Sequence, residues 1–295
     1  MLTRLLARYY LTRHRLQRFS RILTVPSGDR VLDIGSGDSP FAPADAVCEK
    51  FPWDDKERTA AFLHDRPLVV GDAEALPFRD KAFDFIHCSH VLEHTLHPGR
   101  AIDELMRVGR RGYIEVPAAF FEKTCRSFGG HLWFITLEGG MLVFRPKPRG
   151  VLDDQMNGEF DARLAADPHY QAYYYARIYD LFYIRLRWEG SIRYRVESRT
   201  SEDIAAFEKS SIDMAHGESK PVHPSSAARW LKRLIRKAAG RKKNFSLDAA
   251  LACPLCRGAL TKDSDRYLCV SCEAAFPTRN GVPILLKEAA LARFS

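Results

Sequence analysis

Arg30-Val31-Leu32-Asp33-Ile34-Gly35-Ser36-Gly37 is the stretch that decides the fold of this chain. Val31, Leu32 and Ile34 are the branched residues of a strand buried on both faces, and Pro26-Ser27-Gly28-Asp29 breaks any helix just before them. Gly35 and Gly37 let the backbone come close to a ligand that a side chain would exclude, and Asp33 can accept hydrogen bonds or hold the turn. Further apolar runs stand at residues 46–48, 68–70, 83–88 and 112–116, with residues 99–108 as the clearest intervening helix. Strand, connection, strand, repeated, predicts a doubly wound α/β sheet. A dinucleotide site wants a third glycine near position 40, where Ser39-Pro40-Phe41 stands, and the chain to the next strand is too short for a full crossover helix. Both facts count against a nicotinamide dehydrogenase.

Beyond Pro117 the strand-helix repeat stops. Trp133 to Leu137 and Leu142 to Phe144 around Gly139-Gly140 predict a hairpin, and residues 168–182 an aromatic-rich helix. Residues 183–188 and 192–196, joined by Glu189-Gly190, predict a second hairpin able to close an antiparallel edge of the sheet. We expect this region to form a cap over a substrate pocket, with its Tyr and Trp residues lining it. Residues 200–226 are polar, with Gly217, Pro221 and Pro224, and mark a boundary.

The chain closes with Cys253-Pro254-Leu255-Cys256 and Cys269-Val270-Ser271-Cys272, two knuckles separated by twelve residues. Each can turn two thiolates toward one ion, and four sulfurs with no open position make a structural zinc site. Iron in the same shell and a pair of disulfides are the alternatives. Disulfides need an oxidising compartment, and residues 1–24, interrupted by Arg4, Arg8, Arg13, His14, Arg15, Arg18 and Arg21, do not read as a secretory segment.

With 295 residues there is room for a well-buried core and a small second module. No stretch approaches the apolar length of a membrane span, so a cytoplasmic protein, at most peripheral at a membrane, is expected. The net charge of +8 is concentrated: Arg229, Lys232, Arg233, Arg236, Lys237, Arg241, Lys242 and Lys243 come with no acid among them. Ala227, Trp230, Leu231, Leu234, Ile235 and Ala238 form an apolar stripe through the same segment, which predicts a basic amphipathic helix. Residues 2–24 predict another, carrying Leu2, Leu5, Leu6 and Tyr9. A basic face either meets RNA phosphates or an anionic membrane surface, or is simply solvated.

Taken together, the motifs from Arg30 to Pro117 resemble the class I S-adenosylmethionine-dependent methyltransferases of the type-11 kind. Leu32 to Gly37 is similar to that family's first motif, and Gly71-Asp72-Ala73-Glu74-Ala75-Leu76-Pro77-Phe78 to its third-strand loop. Phe83-Asp84-Phe85-Ile86 with Ser89-His90-Val91-Leu92-Glu93-His94 resembles its fourth strand and the loop after it, and Gly112 to Pro117 its fifth strand. The resemblance implies a methyl donor held by Asp33, Gly35, Ser36, Gly37, Glu49, Asp72, Ala73 and Ser89, with Glu49 on the ribose and Asp72 on the adenine amino group. Glu49 follows Asp33 by only sixteen positions, so the usual first helix becomes a short turn and Asp45 or Asp54 competes for the ribose. Phe41 and Trp53 either face the sulfonium or belong to the core.

Residues 251–287 resemble the zinc-ribbon activator that partners methyltransferases acting on tRNA, rRNA and release factors, here fused in cis. The expected division is a methyltransferase domain at residues 1–207 with its cap at about 118–182, a polar linker and basic helix at 208–250, and the ribbon at 251–295. Alignment of donor and acceptor is most of the task in methyl transfer. His90, past the fourth strand, and His131, in the glycine-flanked Gly129-Gly130-His131, are the candidate bases. A small-molecule or glycan-type acceptor is the leading reading. RNA methylation is the second and a non-catalytic cofactor-binding scaffold the third.

Overall fold

The computed structural model describes residues 25–37, 40–53, 66–124, 130–147, 159–160, 162–164, 166–198 and 245–290, together with Leu2, Leu5, Leu6 and Tyr9. Those four are helical and exposed, and the rest of the expected N-terminal helix and the whole basic segment at 227–243 lie outside the described residues.

Strands β1 (Val31–Ile34), β2 (Ala46–Glu49), β3 (Leu68–Val70), β4 (Phe83–Ser89) and β5 (Gly109–Pro117) pair in parallel in the order β3-β2-β1-β4-β5. All of β1 is buried, as a strand covered on both faces requires. Between β1 and β2 the described residues make turns and no helix. Arg66 holds that connection by donating to the carbonyls of Phe41 and Ala44 at 2.6 and 2.8 Å. Helix α1 (Pro98–Val108) has proline in its first turn and buries Ala101, Ile102, Leu105 and Val108 at helical spacing against the sheet. β5 starts three residues before the apolar run. Its arginines there are matched by acids, Arg110 with Asp84 at 3.5 Å and Arg111 with Asp29.

Past β5 come α2 (Ala119–Thr124), then β6 (Trp133–Glu138) and β7 (Met141–Pro146), a hairpin turned by Gly139 and Gly140 at φ +56° and +76°. An unbroken helical run follows, made of α3 (Pro168–Tyr173), a π turn (Tyr174–Ile178) and α4 (Tyr179–Phe182). β8 (Tyr183–Glu189) then returns antiparallel to β5 and closes the sheet.

The expected second hairpin does not form. β9 (Tyr194–Val196) pairs in parallel with β7, not with β8. Gly190, at φ +73°, turns the chain away, and Tyr194 is carried across α1, where its hydroxyl donates to Asp103 at 2.9 Å and its ring covers Gly99. Phe121, Tyr174 and Phe182 are buried and pack with Phe160, so they fill a small core of their own.

The C-terminal part comprises α5 (Leu247–Ala250) and an antiparallel sheet of β10 (Leu260–Asp263), β11 (Arg266–Cys269), β12 (Ala275–Arg279) and β13 (Val282–Pro283). It is built into the larger domain. Leu285 N–H donates to Val70 O at 2.8 Å beside a parallel bridge between Val70 and Ile284, which covers the free edge of β3. Arg79 N–H donates to Ala250 O and Ala252 N–H to Pro77 O, at 2.9 and 3.0 Å. Leu251, Phe276 and Leu285 are fully buried in one apolar cluster with Leu32, Val69 and Phe78. Within the stretch expected to be a polar linker, Phe245, Leu247 and Ala250 pack on this cluster.

Candidate functional site

Strand order reverses between β1 and β4, and in an open α/β sheet ligands bind outside the carboxyl ends of the strands at such a point. Gly35 and Gly37 lie there with φ +65° and +53°, a conformation that favours glycine. Space makes Gly35 necessary as well. A Cβ on it would stand 2.3 Å from Val91 Cγ2, so the loop after β4 sits directly on the turn after β1. Gly37 N–H donates to Glu49 Oε2 at 3.2 Å, tying the turn to the end of β2. Asp72, after β3, accepts from Glu74 N–H at 2.9 Å and from Lys50 Nζ at 2.7 Å. Ala73 follows it and is buried, and Ser89 ends β4 half-buried.

These residues fit an adenosyl ligand by their chemistry. Ser36 Oγ is buried without a hydrogen-bond partner, a polar atom that a ligand can satisfy. Glu49 and Asp72 supply acceptors for hydroxyl and amino donors. Turn, acids and serine stand on the adjoining strands β1 to β4 of the sheet.

Asp33 needs correcting. It is buried, and both its oxygens are spent inside the protein, one on Phe41 N–H at 2.6 Å and one on His87 Nδ1 at 2.7 Å. Its two contacts hold the turn. Phe41 is likewise occupied, stacked on the His87 ring at 4.2 Å, and Trp53 lies under the Arg279 guanidinium at 4.5 Å.

His90 has φ +58°, uncommon for a residue with a side chain, and its N–H is held by Glu115 O at 2.8 Å. Its half-exposed ring stands between two carboxylates, with Nδ1 3.2 Å from Glu93 Oε1 and Nε2 3.7 Å from Glu115 Oε1. Burial opposes the charged form, yet the hydrogen bonds to Glu115 and Glu93 outweigh it and raise the pKa to about 10. A ring protonated at neutral pH donates a proton and does not accept one, which corrects its reading as a base. Glu115 also accepts from Tyr113 OH at 2.5 Å and Arg185 Nε at 3.0 Å. No sequence signal pairs Glu115 with a histidine twenty-five residues earlier; only the register of β4 on β5 does.

His131 is brought to the same side of the sheet, since Leu132 N–H donates to Glu93 O at 2.8 Å. Its Nδ1 is hydrogen-bonded to Glu122, whose other oxygen accepts from Lys147 Nζ at 2.6 Å.

At the other end, Cys253 Sγ lies 3.7 Å from Cys272 Sγ and Cys256 Sγ 3.4 Å from Cys269 Sγ. All four sulfurs fall within 4.8 Å of one another. A tetrahedral ion with bonds of ~2.3 Å sets its sulfurs about 3.8 Å apart, while a disulfide needs ~2.05 Å. The geometry is that of a metal knuckle. Arg257 and Glu273, each following the second cysteine of its pair, both take positive φ, at +63° and +59°. Gly258 is required here, because a Cβ on it would stand 2.5 Å from Ser271 Oγ.

Residues 32–114 match the family model described as a methyltransferase domain. Curated relatives include a demethylmenaquinone methyltransferase of Mycobacterium sp. (strain KMS), 33% identical over 110 residues that cover 36% of this chain and 48% of that protein. An uncharacterized methyltransferase of Mycolicibacterium vanbaalenii is 33% identical over 114 residues, 36% of this chain and 44% of that one. The chain thus spans about half the length of the curated relatives it matches. Among solved structures, the PH0226 protein of Pyrococcus horikoshii aligns with 17% identity and a TM-score of 0.31 over 50% of this chain and 81% of that one.

Proposed function

Starting from a methyltransferase domain at residues 32–114, we propose that this protein transfers a methyl group from S-adenosylmethionine to an oxygen or nitrogen of a small-molecule or glycan-type acceptor. The observation that carries the reading is the meeting, at the reversal of strand order, of a positive-φ glycine turn with Glu49 and Asp72. When bound, the donor supplies an electrophilic methyl group on a sulfonium. Gly35, Ser36 and Gly37 provide its backbone cradle, Glu49 accepts from the ribose hydroxyls, and Asp72 accepts from the adenine amino group. Ala73 and Ser89 complete the walls. Lys50 neutralises Asp72 until the adenine arrives.

The acceptor enters beside the loop after β4. His90, as a cation between Glu93 and Glu115, orients it by hydrogen bonding, while positioning against the donor lowers the barrier; the carbon–sulfur bond breaks as the new bond forms, the demethylated thioether leaves, and the acceptor's proton passes to water. The Mycobacterium relative's name specifies demethylmenaquinone, but the match covers 48% of that protein and falls on the stretch to which we assign the donor, so the acceptor does not carry over with it. The ribbon expected at 251–295 takes one zinc through Cys253, Cys256, Cys269 and Cys272, and its described residues stabilise the sheet from within the same chain, through the edge of β3. Residues 118–182 serve as the cap.

The test is incubation with radiolabelled S-adenosylmethionine and fractionated cell extract. Label in the small-molecule or lipid-glycan fraction supports the reading, label in RNA replaces the acceptor class, and donor binding without label anywhere leaves a non-catalytic scaffold.

A further inference from the structure

A third group of side chains, apart from the glycine turn and the cysteines, has both the composition and the orientation of a metal site. Glu93, His94 and His131 each place one candidate ligand atom within 4.8 Å of the other two. Glu93 is 0% exposed; its Oε1 meets His90, and its Oε2 is buried with no hydrogen-bond partner. With His90 on Oε1 alone, the buried Oε2 still lacks a donor, and a second cation beside it would remove that cost.

The two imidazoles are already set in one tautomer. His94 Nδ1 lies 3.1 Å from the carbonyl oxygen of Gly130, which can only accept, so that nitrogen carries the proton. His131 Nδ1 faces the Glu122 carboxylate, whose other oxygen accepts from Lys147 Nζ. With Nδ1 turned to these acceptors in each ring, Nε2 is the nitrogen placed to ligate. A ring proton given to a carbonyl or a carboxylate is how proteins aim a metal-ligating histidine. The rings stand edge to face with centroids 4.7 Å apart.

We propose that Glu93, His94 and His131 bind one first-row divalent cation, separate from the ion held by the cysteines. Two imidazoles and a carboxylate suit Mn²⁺, Fe²⁺, Co²⁺ or Zn²⁺. Donors around such an ion stand about 3 Å apart, so the set closes on binding, and His94, the exposed member, has the room to move. Three protein ligands leave positions for water or for an oxygen of a bound molecule. That oxygen would belong to the methyl acceptor, an extension that rests on the methyl-transfer reading; cation binding itself does not.

Full-length protein with zinc in its cysteine site, titrated with Co²⁺ and followed by calorimetry and absorption, tests the site without any turnover. One further equivalent should bind, with the weak visible bands of a nitrogen–oxygen ligand set and no thiolate-to-cobalt band. His94→Gln and His131→Gln should each weaken it at least about tenfold, and Glu122→Gln, which frees the His131 ring, by roughly 10–100-fold. His97→Gln, an exposed neighbour, should change nothing. His94 is exposed, so its variant keeps the fold, and circular dichroism checks this. The proposal is overturned by the lack of a further equivalent in the wild type, by a thiolate band that grows with it, or by wild-type binding in His94→Gln. Titration with S-adenosylmethionine in place of Co²⁺ examines the donor site separately, so failure of one leaves the other standing.

Discussion

Leu285→Ala asks whether the ribbon and the large sheet are one cooperative unit. Leu285 is 0% exposed, its N–H bonds to Val70 O, and its side chain shares an apolar cluster with Val69, Leu76 and Phe276. Three carbons at about 0.8 kcal/mol per buried CH₂ lose roughly 2.4 kcal/mol of transfer free energy. The cavity left behind brings the total to about 3–5 kcal/mol. At roughly 2–4 °C per kcal/mol for a domain of this size, the midpoint should fall by about 6–20 °C. Scanning calorimetry of zinc-loaded protein should show one transition moving as a whole. Val270→Ala, on the 65% exposed face of a knuckle, should change stability by no more than about 0.5 kcal/mol. A Leu285→Ala midpoint within about 1 °C of wild type, or a small ribbon transition that shifts alone while the main one stays in place, would refute the shared core.

Gly35→Ala places a methyl group against Val91 at a positive φ and should cost about 2–4 kcal/mol, from left-handed backbone and overpacking together, and weaken donor binding at least tenfold; a folded variant with wild-type affinity contradicts this. Metal analysis should find one zinc per chain in the cysteine site, and Cys253→Ser with Cys269→Ser should remove it and lower the midpoint of the whole protein. Asp84 is held below the ordinary carboxyl range, burial opposing but hydrogen bonds from Arg30 and the charges of Arg30 and Arg110 prevailing. Its stabilising effect is therefore full above about pH 4, the unfolded value, and fades as pH falls through the lower folded value. Asp84→Asn should flatten the acid limb of the midpoint against pH between roughly pH 5 and 3, and an unchanged limb would count against the pair.

Strands whose burial is symmetric were legible from residue type alone. Val31 to Ile34, Leu68 to Val70 and the run from Phe83 carry their own pattern, and the glycine turn and the paired cysteines state local geometry directly. What escaped depends on pairing between distant parts. The arginines at the start of β5 look like loop until Asp29 and Asp84 are beside them. β9 has the alternation of a hairpin partner, yet alternation does not say which strand it meets. Asp33 and His90 show the same limit within the site. Whether a carboxylate faces a ligand or a buried histidine, and whether an imidazole is base or cation, is set by neighbours from other strands. The apolar run Ile284-Leu285-Leu286 was a usable sign that something covers the edge of β3.

Calorimetric titration of the full-length, zinc-loaded chain with S-adenosylmethionine and with its demethylated product tests the donor site most directly. The account predicts one site per chain for both ligands, weakened at least tenfold by Glu49→Ala in a protein that keeps its thermal midpoint. Absence of binding by either ligand at millimolar concentration, or binding that Glu49→Ala leaves unchanged, would contradict it.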